Sequence, residues 1–151
     1  MLRGQLDGAL KAAMLARDQR AVSTIRLILA ALKDRDIAER GRGNADGLGD
    51  AEILALLQSM IKQREESIRL YQKGGRDDLA TEEAGEIATI RQFMPAQLSE
   101  AEIAAIVDAV VEEIGASSLK EMGKVMGLLK ERHAGCMDFT RASALVKERL
   151  G

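Results

Sequence analysis

Apolar residues return every three or four positions through most of the chain, the repeat of a helix face, while strand-type alternation is scarce. Leu2, Leu6, Leu10 and Met14 place one such stripe on a first helix from Leu2 to Ala16. Asp18 then offers a side-chain oxygen to the free amides of a long second helix, with Val22, Ile25, Leu29 and Leu32 inward and Gly41 at its end. Between 41 and 49, four glycines with Asn44 and Asp46 predict a mobile loop, because glycine has the most backbone freedom to lose. Asp50 reads as the cap of a third helix carrying Ile53, Leu56, Leu57, Met60 and Ile61, stopped by Gly74 and Gly75. A fourth begins near Asp77 or Asp78 and turns Leu79, Ile87, Ile90 and Phe93 inward.

Pro95 disfavours helix at Met94, and Ser99 followed by Glu102 has the spacing of a capping box for a new helix carrying Ile103, Ile106, Val107 and Val110. The segment from Gly115 to Ser117 breaks that helix. Ser118 with Glu121 predicts a second capping box, opening a helix that runs to about His133, and Asp138 starts the last one. The expectation is an all-α chain: a four-helix N-terminal domain over 1–95 and a small three-helix C-terminal tail domain over 96–151.

Composition supports that class, since Ala, Leu, Met, Lys, Arg, Gln and Glu dominate and only Tyr71, Phe93 and Phe139 are aromatic. One cysteine, Cys136, allows no internal disulfide, and with a single histidine it leaves too few ligands for structural zinc. Met1 to Gln5 lacks the character of a signal peptide and no apolar run suffices to span a bilayer, so the expected location is the cytoplasm, away from membranes. The net charge of −2 hides a polarity. Residues 99–117 carry five acids and no base, whereas 118–151 carry Lys120, Lys124, Lys130, Arg132, Arg141, Lys147 and Arg149 against four acids, a local +3.

Candidate chemistry is sparse. His133 and Cys136 sit three apart at a helix end, where a dipole-favoured histidine and a small apolar cysteine account for both. Ser117, Ser118 and Lys120 share the residue types of serine-lysine amidases, but a cap explains Ser118. Glu82, Glu83 and Glu86 lie on one helix surface without a second ligand set and read as a solvated face beside the helix dipole; Asp34 and Asp36 diverge and need no role. No catalytic residue, cofactor or metal is assigned.

Met122-Gly123-Lys124-Val125-Met126-Gly127 is the most unusual string, because a glycine inside a helix costs about 1 kcal/mol relative to alanine. Gly123 and Gly127 share one face, which predicts close packing against a neighbouring tail helix, or approach of an external partner such as a phosphate backbone. The tail's cations, Lys124, Lys130, Arg132, Arg141 and Lys147, form the candidate nucleic-acid footprint.

Three strings combine into a resemblance: Tyr71 to Ala80 (YQKGGRDDLA), Phe93 to Glu102 (FMPAQLSEAE) and Met122 to Gly127 (MGKVMG). In order and spacing they resemble the GatB/YqeY family, specifically its stand-alone bacterial YqeY-like members, over nearly the whole chain. The resemblance maps Met122, Gly123, Lys124, Met126 and Gly127 onto the family's tail motif, and Gly75, Arg76, Asp77, Leu79, Ala80 and Glu83 onto its central motif. Phe93-Met94 departs from the family's usual Tyr-Leu before proline. The resemblance implies a tail similar to that of the B subunit of the tRNA-dependent amidotransferase, an adaptor that contacts tRNA. It implies tRNA as partner, and amidotransferase or aminoacyl-tRNA synthetase subunits as alternative protein partners. The family label, carbon-nitrogen ligase with glutamine as amide donor, comes by resemblance alone, since the chain shows none of the amidase or kinase parts; the expected role is accessory, without catalysis by the chain alone.

Overall fold

The structure, a computed structural model, describes residues 1–151 and is all-helical. Its elements are α1 (Leu2–Leu15), α2 (Gln19–Gly41), α3 (Asp50–Lys73), α4 (Asp77–Arg91), α5 (Glu100–Ile114), a 3-10 turn at Leu119–Glu121, α6 (Met122–Arg132) and α7 (Phe139–Leu150). They form two compact units, Met1–Met94 and Pro95–Gly151, each with its own apolar core.

In the first unit, Leu6, Ile28, Ile53, Leu57 and Ile90 are wholly buried, one or two from each helix. Burial of each such side chain stabilises by roughly 1.5–3 kcal/mol. The expected stripe on α1 fails at its far end: Leu2 and Leu6 are buried, Leu10 is half-buried and Met14 is 51% exposed. Steps of four residues overshoot the helical turn, so after three steps the stripe has rotated off the core and Ala13 takes the inward position. On α2 the buried line is Thr24, Ile28, Leu32 and Asp36, with Ile25 beside it; Val22 and Leu29 are only half-buried.

Asp36 at the end of that line gives the segment after α2 its anchor. Its Oδ1 accepts the backbone N–H of Leu48 at 2.9 Å, and its carboxylate takes both outer nitrogens of Arg3 at 2.6 Å. The Arg3 Nη2 also donates to the Leu48 carbonyl at 2.8 Å, and the Leu48 side chain is buried in the core. The segment expected to be a mobile glycine loop is therefore tied to α1 and α2, and Asp36, expected to need no role, holds it. Gly49 is the N-cap of α3; Asp50 stands one residue inside and accepts the backbone N–H of Leu2 at 3.3 Å, which corrects its expected capping role.

Two helix ends use the same closure with different residues. After α3, Arg76 N–H reaches the Tyr71 carbonyl and Gly75 N–H the Gln72 carbonyl, with Gly75 in the left-handed region at φ +72. After α1, Asp18 N–H reaches Ala13 and Arg17 N–H reaches Met14, but the left-handed position, φ +56, is filled by Arg17. A side chain there costs about 1–2 kcal/mol that glycine avoids.

The second unit packs α5, α6 and α7 around Val107, Val125, Leu129, Met137, Ala142 and Val146. The Ser99 capping box is complete: Glu102 N–H donates to Ser99 Oγ at 3.2 Å and Ser99 N–H donates to Glu102 Oε1 at 2.9 Å. The second expected box does not form. Glu121 instead accepts the Ser117 N–H at 2.7 Å, and Ser118 precedes a 3-10 turn, so α6 begins only at Met122. The segment before α5 is fastened to the α6–α7 loop by Leu98 N–H on the Cys136 carbonyl and Gln97 Nε2 on the Gly135 carbonyl.

Candidate nucleic-acid interface

The five candidate phosphate contacts divide by helix and by partner. Arg132 at the end of α6 pairs with Glu113 of α5 at 2.9 Å, and Arg141 on α7 pairs with Glu100 at the start of α5. Arg149 likewise meets Asp108 of α5 at 3.4 Å. The acidic helix thus takes up the arginines of its own unit. Lys124 and Lys130 on α6 and Lys147 on α7 are exposed and stand in no ion pair. Lys130 and Lys147 also lie in the last turns of their helices, where the dipole favours cations, so part of their presence is explained locally.

Lys130 shares a helical face with both glycines of α6, since positions 123, 127 and 130 recur at one side of a 3.6-residue turn. Gly123 and Gly127 are exposed, and a Cβ added at either would meet nothing within 4 Å. Close packing inside the tail, expected for this pair, is therefore absent; the buried side of α6 is Val125 and Leu129. On one flank of the glycine face, Met126 and Lys130 form a groove with Phe139, Ser143, Ala144 and Lys147 of α7. It brings two cations, Lys130 and Lys147, beside small side chains and the half-buried ring of Phe139.

The other candidates resolve into structural roles. Cys136 Sγ contacts the His133 backbone carbonyl at 3.3 Å rather than the imidazole, and burial pushes its thiol up, away from reactive thiolate. In the central motif, Gly75 closes α3, Arg76 grips Asp78 through two hydrogen bonds of 3.2 and 3.1 Å, the Asp77 carbonyl accepts the Thr81 hydroxyl, and Leu79 and Ala80 turn inward. Glu83 and Glu86 are not the solvated face expected of them. Glu86 meets Arg64 Nε at 2.8 Å, Glu83 lies 3.9 Å from the same nitrogen, and Glu83 Oε2 is buried without a hydrogen-bond partner. Burial, with Glu86 alongside, raises the Glu83 carboxyl above its ordinary value.

The family model for YqeY-like proteins matches residues 3–150. The chain belongs to the YqeY-like family. Among curated proteins, it is 36% identical over 89 residues to "Altered inheritance of mitochondria protein 41, mitochondrial" of Saccharomyces cerevisiae, covering 59% of this chain and 46% of the yeast protein. The protein of the same name from Eremothecium gossypii is 36% identical over 107 residues, covering 70% and 56%. That from Lachancea thermotolerans is 35% identical over 112 residues, covering 72% and 57%. The chain spans about half the length of the curated relatives it matches. These YqeY-like relatives are fungal and mitochondrial by name, so they lend no support to a bacterial source. No helix of this chain is long and apolar enough to cross a membrane.

Proposed function

We infer that this YqeY-like protein is a tRNA-binding accessory module whose tail grips the phosphate backbone with Lys124, Lys130 and Lys147. The observation that carries the reading is the division among the tail's cations: the arginines are occupied by α5, while these three lysines are exposed and unpaired around the glycine face of α6. An unpaired lysine releases counterions when it meets a phosphate, whereas a paired arginine must first give up its carboxylate. Arg132 and Arg141 accordingly become secondary contacts. The role is accessory to glutamine-dependent amidation of tRNA, with the chemistry in other subunits. Its compartment is one that translates, the cytoplasm or, by the names of the relatives, the mitochondrial matrix.

A fluorescence titration of purified protein with tRNA and with random RNA of equal length tests this. Tighter binding to tRNA, with log affinity falling linearly against log salt, supports it; equal affinities or a flat salt dependence sink it. The exposed Gly123 and Gly127 favour a second reading, a protein adaptor docking on an amidotransferase or synthetase subunit through bare helix backbone. A complex that survives ribonuclease and is lost with Gly127→Leu would select that reading over RNA.

A further inference from the structure

In the first unit, α2 carries a shallow, solvent-open trough along the side opposite its buried line. Two surface hollows share Leu27. The first runs from Met14 and Arg17 to Val22 and Arg26; the second continues past Ala31 and Arg35 to Ala38, with Leu56 and Met60 of α3 along its side. On α2 the lining positions 19, 23, 27, 31, 34 and 38 recur at three or four residues, which is a single helical stripe extending about 28 Å. Met14 is 51% exposed and Leu27 46%, although each has apolar neighbours that an additional helix would complete.

The charges on this trough are unbalanced. Arg17, Arg26 and Arg35 are exposed and stand in no ion pair, against the single carboxylate of Asp34 among the lining residues. Arg17 is also the residue that fills a left-handed position where α3 uses glycine, so its side chain sits there at a backbone cost. We propose that the α2 trough of the first unit is a docking site for an acidic amphipathic helix of a partner protein, seated with its apolar stripe on Leu27 and its carboxylates toward Arg17, Arg26 and Arg35. A concave trough between helices receives a helix side-on. A second copy of this chain does not supply the occupant: its acidic amphipathic helix, α5, already spends Ile103, Val107 and Val110 on the core of its own unit.

The probe is a fluorescein-labelled 18-residue peptide with leucines at helical three-four spacing and glutamates on both flanks, read by anisotropy and circular dichroism against the full chain. A control peptide carries lysine at every glutamate. Expected are helix formation and binding for the glutamate peptide, at least about tenfold weaker binding with Leu27→Asp, and a shift of preference toward the lysine peptide with Arg26→Glu. Arg26 is exposed and Leu27 is 46% exposed, so both variants stay folded, with melting within a few degrees of the wild type, and their titrations with tRNA stay unchanged. The proposal is overturned by equal affinity for the two peptides or by indifference to Leu27→Asp. It is equally overturned by a dimer at micromolar concentration that Leu27→Asp dissolves, which would make the occupant a second copy. Binding to phosphatidylglycerol vesicles that Leu27→Asp abolishes would assign the face to a membrane surface instead.

Discussion

Arg3 and Asp36, 33 positions apart in the chain, meet through two parallel hydrogen bonds of 2.6 Å, and the same guanidinium and carboxylate close on the two backbone groups of Leu48. Three segments of the first unit are joined at that point. Arg3, the backbone N–H of Leu48 and the nearby Arg40 hold the Asp36 carboxyl down, from 3.8 to about 2.

The pair predicts an acid-sensitive contribution to stability. A carboxyl with a lowered folded pKa stabilises the fold above its unfolded pKa, and that contribution is lost as pH falls from 3.8 through about 2. Arg3→Met, which leaves Asp36 buried without its cation, is expected to cost about 2 kcal/mol in urea unfolding at neutral pH. The gap between variant and wild type should narrow across the acid window; a gap that is constant with pH would show that packing, not charge, sets the loss.

Glu83 predicts the opposite sign. Its carboxyl is raised by burial and by Glu86, so ionising it in the folded protein costs stability once the pH exceeds the ordinary carboxylate value. Glu83→Gln is expected to raise the thermal midpoint at pH 7 and to make no difference below the ordinary carboxylate range, where Glu83 is protonated in both states. A lowered midpoint at pH 7 would mean that the contact with Arg64, at 3.9 Å, outweighs the burial.

Open space beside Gly123 and Gly127 separates stability from binding. Alanine meets no neighbour at either position and improves helix propensity, so each Gly→Ala variant is expected to gain about 0.5–1 kcal/mol. If RNA backbone approaches this face, the same variants lose affinity for tRNA. Calorimetry and the titration together decide, and a variant that is both more stable and equally tight removes the face from the interface.

Lysines and arginines of the tail should respond differently. Lys130→Gln or Lys147→Gln is expected to reduce the salt slope of tRNA binding by about 0.7–0.9 each, the increment for one phosphate contact. Arg132→Gln and Arg141→Gln, whose cations already face Glu113 and Glu100, should change the slope less. Equal slopes for all four variants would refute the division between paired and unpaired cations.

Local chemistry made much of the helical framework legible. Asp18, Ser99 and Asp138 cap in the structure as their positions along the sequence indicate, because a cap is decided within three residues. Ser118 misled because its spacing to Glu121 matched a box, while Glu121 found the neighbouring amide of Ser117. Asp36 was the larger miss. Compared only with Asp34 it has no partner, yet continuing the buried line from Thr24, Ile28 and Leu32 by one more step lands on it, and a charged residue at a core position announces a distant counter-charge. The glycines of α6 could not be assigned without coordinates, since the same sequence serves a packed or an open face. The α2 trough was hidden for the same reason: Leu27 reads as one more apolar residue until its surroundings are known.

Arg17 carries a consequence for evolution in the laboratory. The position is one where glycine would relieve a left-handed backbone, worth about 1 kcal/mol. Under selection for heat resistance alone, glycine at 17 should spread through a mutagenised population. Under selection for the protein's work in the cell, arginine should return. The residue that wins in each regime reports whether that guanidinium is in use.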